Sequence, residues 1–164
     1  MDEKQIAWPK EFDPACCPIH VRNDIIIAAS HPVIWAWIIR ARLWPAWYPN
    51  SSEVQILTGS SLDLFANARF SWKTFGVRLE SYVREFSPCE RIAWDAFGIG
   101  VRAYHAWLIA ETSQGTRVTT EETQCGWLAR LNKFFMPNRM SYYHEVWLHR
   151  LRDNAEHGMP PDDL

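Results

Sequence analysis

The period of the apolar pattern changes twice along this chain. "IHVRNDIIIAA" (residues 19–29) is β-branched and predicts a strand. "SHP" then marks a helix start, with Ser30 as N-cap and Pro32 in the first turn, where a missing N–H costs nothing. Val33, Trp35, Trp37, Ile38 and Ile39 make that helix apolar on most sides. It should end before Pro45, because the residue preceding a proline is pushed out of the α region. Strand-like segments then take over: "SEVQILTG" (52–59), "NARFSWKTFG" (67–76), "VRLESYVREF" (77–86), "RIAWDAFG" (91–98), "VRAYHAWLIAE" (101–111) and "TRVTTEETQC" (116–125). Their separators are short and turn-like, so hairpins and an antiparallel meander are expected. Residues 127–157 return to helical spacing, with Met140, Tyr143, Trp147, Leu151 and Ala155 on one stripe and a break near Pro137.

This order predicts an α+β fold: one strand, one or two short helices, six more strands and a long C-terminal helix. A curved seven-stranded sheet must cover its apolar face, and the last helix is the only element large enough to do so. A cleft between the two is a natural place for an apolar ligand. Residues 1–18, with Pro9, Pro14 and Pro18, read as an irregular N-terminal extension. Residues 19–157 read as a single ligand-binding domain, and residues 158–164 as a disordered tail.

The segments "IIIAASHPVIWAWI", "WPAWYPN", "RFSWKTFGVRLESYVREFSPCERIAW", "HAWLIAETSQGTRVTTEETQCG" and "HEVWLHRLRDNAE" resemble the START-related SRPBCC superfamily, most closely its polyketide cyclase/dehydrase-like branch. The resemblance spans residues 20 to 157. It implies a helix-grip fold, a curved antiparallel sheet wrapped around the C-terminal helix, with a cavity for lipids, sterols, polyketides or plant hormones. A minority of the superfamily catalyses cyclisation or dehydration. On this reading "WPAWYPN" closes one end of the grip. Trp44 and Trp47 then either pack as pure core or contact the ligand.

Alternation along the strands sets the inward faces. Phe70 and Trp72 share one face, as do Val77, Leu79, Ser81 and Val83. Ile92, Trp94 and Ala96 form another set, Ala103, His105, Trp107 and Ile109 a third, and Val118, Thr120 and Glu122 a fourth. Trp44, Trp47, Phe70, Trp72, Ser81, Trp94, Trp107, Thr120 and Met140 are the candidate ligand contacts, with His105 and Glu122 as polar anchors. A two- or four-residue loop before residue 116 pairs His105 with Glu122. A three-residue loop with Gly115 as a bulge breaks that pairing. Facing each other in an apolar cavity, the two could move a proton, so they are the catalytic candidates if the protein is an enzyme. Glu121 would face solvent.

Other chemistry is weaker. His144 and His149 are five apart, one beyond helical metal-ligand spacing, and no metal site or cofactor is expected. "GIG" lacks the context of a phosphate loop and Cys125 has no assigned base. Arg139 could hold a ligand carboxylate at the cavity entrance. A net charge of −2 with no basic block argues against nucleic acid and anionic membrane as partners. The longest apolar run is broken by Ser30, His31 and Pro32, which argues against membrane insertion. Cys16, Cys17, Cys89 and Cys125 do not read as a disulfide framework, and no signal peptide is evident, which suits a reducing cytoplasm. Three functions stay open: a binder of a small hydrophobic, aromatic or polycyclic ligand, a cyclase/dehydrase-like enzyme, and a partner-binding domain. Each is compatible with a monomer or weak homodimer. Ten tryptophans could also fill the grip themselves.

Overall fold

The computed structural model describes residues 6–162, so the expectations for residues 1–5 and 163–164 lie outside the described residues. Seven strands form one antiparallel sheet: β1 (Ile19–Ile27), β2 (Ser52–Ile56), β3 (Arg69–Thr74), β4 (Val77–Ser87), β5 (Arg91–Gly98), β6 (Val101–Thr112) and β7 (Gly115–Cys125). Their order is β1-β7-β6-β5-β4-β3-β2. β1 and β2 therefore occupy opposite edges, and the chain between them crosses the sheet through α1 (His31–Ile39) and α2 (Trp44–Trp47). After β7 come α3 (Trp127–Phe135) and α4 (Arg139–Ala155), the latter packed on β1 and α1. This is the expected α+β helix-grip.

The break near Pro137 separates α3 from α4, because a proline there cannot continue the i→i−4 ladder. Gly126 allows β7 to turn into α3: at φ 109° a Cβ on it would lie 2.3 Å from the carbonyl oxygen of Gly100. Ser30 stands at the N-cap of α1 without a side-chain capping bond. Pro45 does not merely follow a helix, as expected, but sits in the first turn of α2. Its missing N–H is an orphan there in any case.

The three aromatic residues of "WPAWYPN" are core, while Pro45, Ala46 and Pro49 are exposed. Trp44 is fully buried, and its indole N–H donates to Ile38 O at 3.0 Å. Its ring lies 5.2–6.0 Å from those of Phe70, Trp72, Trp94 and Trp147. Tyr48 stacks on Trp147 at 4.2 Å and 3°. Asn50 Oδ1 accepts the N–H of Phe75, which holds positive φ in the turn between β3 and β4. The segment thus joins the helix, the sheet and a hairpin turn.

Residues 6–17 cross the other face of the sheet, where Ile6 and Phe12 bury against Ala93, Tyr104 and Ala106. The expectation of unpaired cysteines is overturned at one pair, since Cys17 and Cys125 form a disulfide with Cα atoms 5.1 Å apart. The register explains it. Ile19 lies opposite Gln124, so the residues just before β1 meet the end of β7. Adjacency of Cys16 and Cys17 keeps them from pairing with each other, not from pairing elsewhere. A disulfide also removes the support that free thiols gave to a reducing compartment. After α4 the chain runs back along α1: Trp37 Nε1 donates to Gly158 O at 2.8 Å and Arg40 Nη1 to Pro161 O at 2.6 Å.

Trp44→Ala is expected to lower the unfolding free energy by about 3–5 kcal/mol, the range for emptying an aromatic core site. Trp127→Ala, on the exposed face of α3, should stay within about 0.5 kcal/mol. Urea titrations of both compare them directly. Alkylation of denatured, unreduced protein should label Cys16 and Cys89 and spare Cys17 and Cys125.

Candidate functional site

β6 and β7 close through the two residues Ser113 and Gln114, with Thr112 opposite Gly115. His105 therefore lies opposite Glu122, and Trp107 opposite Thr120. The same face receives His144 from α4. Glu122 Oε2 is 3.2 Å from His105 Nδ1 and 3.2 Å from His144 Nε2, and Oε1 accepts from Gln124 Nε2 at 2.7 Å. His105 Nε2 is 2.6 Å from Thr120 Oγ1. The two imidazoles lie 9° from parallel with centroids 5.1 Å apart.

The contacts of the two imidazoles differ. His105 Nε2 shares a hydrogen bond with the Thr120 hydroxyl, and its Nδ1 lies 3.2 Å from Glu122 Oε2 as an ion-pair contact. His144 donates Nε2–H to the same carboxylate, and its Nδ1 has no partner. Burial pushes His105 down from 6.5 to about 3, against the attraction of Glu122 and with help from His144. Burial pushes Glu122 up, but His105 together with the hydrogen bonds from His144 and Gln124 outweighs it, so the carboxyl sits below its ordinary value. At neutral pH Glu122 is therefore a carboxylate and His105 is neutral.

A cavity of about 20 Å³ adjoins this cluster, bounded also by Tyr48, Trp72, Trp94, Met140 and Trp147. That is room for a single water. A second cavity of about 20 Å³ shares Phe75, Gln124 and Met140 with the first and opens beside Met136, Pro137 and Arg139. Arg139 lies over the Phe75 ring, 4.9 Å from its centroid.

Of the residues singled out from sequence, His105, Glu122, Trp72, Trp94 and Met140 line the first cavity. Trp44, Trp47, Phe70, Ser81, Trp107 and Thr120 are buried but do not line it. Ser81 accepts the Trp72 indole N–H at 3.1 Å and Thr120 holds His105, so both support lining residues from behind. Glu121 points to the opposite face as parity required, yet it is buried and paired with His20 at 2.7 Å. The solvent-facing expectation fails because the N-terminal segment covers that face. Sequence reading missed His144, Tyr48, Gln124 and Trp147. His144 had a signal, standing one turn before Trp147 on the inward stripe, but it was weighed only against His149. On α3, Trp127, Leu131, Phe134 and Phe135 form an exposed apolar stripe, with Phe134 at 80%. Among the described residues no helix is long and apolar enough to cross a membrane.

No protein-family model matches the chain, and no curated protein matches it either. Solved structures do. The hypothetical protein jhp0584 from Helicobacter pylori is 27% identical with a TM-score of 0.87, over 94% of this chain and 98% of that one. The di-domain ARO/CYC protein BexL, of the BE-7585A biosynthetic pathway, is 20% identical at TM-score 0.67, over 87% of this chain and 51% of its own. StfQ, the di-domain ARO/CYC of the steffimycin pathway, is 13% identical at 0.68, over 85% and 51%. The chain has a helix-grip fold, which it shares with these structures. The likeness to BexL and StfQ is one of fold.

Acid should destabilise the fold through this cluster. The unfolded chain protonates its histidine near 6.5, whereas folded His105 resists until about 3, so stability falls as pH drops through that window. Glu122, whose folded pKa is depressed, adds a loss of the same sign once pH falls below the ordinary carboxyl value. Urea midpoints measured from pH 7 to pH 4 should decline, and His105→Gln should flatten the upper part of that decline.

Proposed function

We propose that the protein binds a small, largely apolar molecule bearing an acceptor group such as a carbonyl, in the grip between the sheet and α4. One observation carries this reading. The indole N–H groups of Trp94, Trp107 and Trp147 and the Nδ1 of His144 are all buried without a partner. Buried indole N–H groups usually find an acceptor, and each unmet polar group costs about 1–3 kcal/mol. Those of Trp94, Trp147 and His144 belong to residues lining the first cavity and fit a ligand whose oxygen enters there, while the indole faces stack on its rings.

Such a ligand needs more than the closed cavity provides. Phe75 and Met140 stand between the two cavities, and Met140 is unbranched and readily repacked. Their displacement merges the cavities toward Arg139, which then meets the ligand's outer end. The ARO/CYC description of BexL and StfQ points to the same ligand chemistry.

A second reading, a cyclase/dehydrase-like enzyme, is favoured by the Glu122–His144 contact. His105 is ill suited to carry the proton, since Thr120 engages its Nε2 and it stays neutral down to about 3. His144 is better placed: the carboxylate orients its Nε2–H and leaves Nδ1 as the base. Glu122→Gln should then abolish turnover, whereas in a carrier it would only weaken affinity.

Native mass spectrometry of freshly purified protein, followed by denaturing extraction, should reveal a reproducible small adduct. Thermal shifts should be larger with polycyclic aromatic ketones and quinones than with the parent hydrocarbons. A clean protein mass together with no shift across that panel would sink the binding reading.

A further inference from the structure

We propose that His105, Glu122 and His144 form a binding site for a divalent first-row transition-metal ion, zinc being the ion their donor chemistry suits best. The three residues come from β6, β7 and α4, so no spacing along one element announces them. Their ligating atoms all lie within 4.8 Å of one another. Zinc bonds of about 2.0–2.1 Å in a tetrahedron place ligand atoms about 3.3 Å apart. The two nitrogen-to-oxygen separations in the cluster are already 3.2 Å. Two imidazoles and one carboxylate are a donor set that zinc takes readily, with a fourth position open.

The surrounding contacts fit the same assignment. Thr120 Oγ1 can accept Nε2–H of His105, which places the ring's lone pair on Nδ1, facing the cluster. Gln124 occupies Glu122 Oε1 and leaves Oε2 to the ion. The adjoining cavity of about 20 Å³, bordered by all three residues, accommodates one water as the fourth ligand. Charge gives a further reason. The cluster holds a carboxylate deep in an aromatic core, and the contacts to its oxygens come from two imidazoles and an amide. A buried carboxylate without a countercharge is costly. A dication supplies that charge where the three ligand atoms converge.

The site does not require an organic ligand, so it stands or falls apart from the binding reading. The test is calorimetric titration of tag-free, chelator-stripped protein with Zn²⁺, with no organic compound present. One equivalent should bind, the thermal midpoint should rise, and Co²⁺ should give the visible absorption of a tetrahedral centre. Glu122→Gln and His144→Gln should each weaken Zn²⁺ by at least about 100-fold, as much as disturbing a ligand's outer partner can cost. His149→Gln, exposed on the same helix, should bind as the wild type does. Failure of the folded wild type to bind Zn²⁺ stoichiometrically would overturn the site, whatever the variants do. So would affinity unchanged in both Glu122→Gln and His144→Gln. A quinone-induced thermal shift in protein that takes no zinc would overturn the metal site and leave the ligand reading intact.

Discussion

The grip is closed by indole packing against indole. Trp147 on α4 lies against Trp44, Trp72 and Trp107 with centroids 5.0–5.9 Å away, and Tyr48 stacks on it. Few other side chains could join helix, connector and sheet at once, because each contact needs both area and a flat face. The position of α4 follows from this cluster. So does the delivery of His144, one turn earlier on the same helix, to a carboxylate on β7. The remaining space is small for the same reason: the tryptophans that hold the helix onto the sheet also occupy most of what would be a cavity.

Within that apolar mass Glu122 is the exception that has to be accommodated. A carboxylate there survives only if its oxygens are met. It is met by hydrogen bonds from its own strand and α4, with His105 of β6 at ion-pair distance. The cluster fixes the tautomer of His144 as well as its position. His105 is held by Thr120 at Nε2 and faces Glu122 with Nδ1, while His144 keeps one nitrogen open. Two histidines on one oxygen thus have different chemical prospects, set by what their far sides touch.

Much of the fold was legible because strand alternation is a local signal. Phe70 with Trp72, Trp94 with Ala96, and His105 with Trp107 all lie buried as parity required. The site was legible only in part. His105 opposite Glu122 depended on whether the loop before residue 116 held two or four residues or instead three, which sequence left open. His144 lay one turn before Trp147 on the inward stripe, but its partners sit on other elements, so no spacing along the helix joined it to them. The Cys17–Cys125 bond and the burial of Glu121 escaped for a related reason, since both depend on how the first residues drape over the sheet. That path is set by nonlocal contacts of Ile6 and Phe12.

The tryptophan cluster has an optical consequence. Transition dipoles of indoles separated by 5.2 Å between Trp44 and Trp147, and 5.6 Å between Trp44 and Trp94, are close enough to couple as excitons. Their coupled bands carry rotational strength that isolated indoles lack. Excitation energy also migrates among them before emission, so the fluorescence of the core belongs to the ensemble rather than to one ring. Near-ultraviolet circular dichroism of this protein accordingly reports the seating of α4 in the sheet, and a shift of that helix registers in the spectrum without an added label.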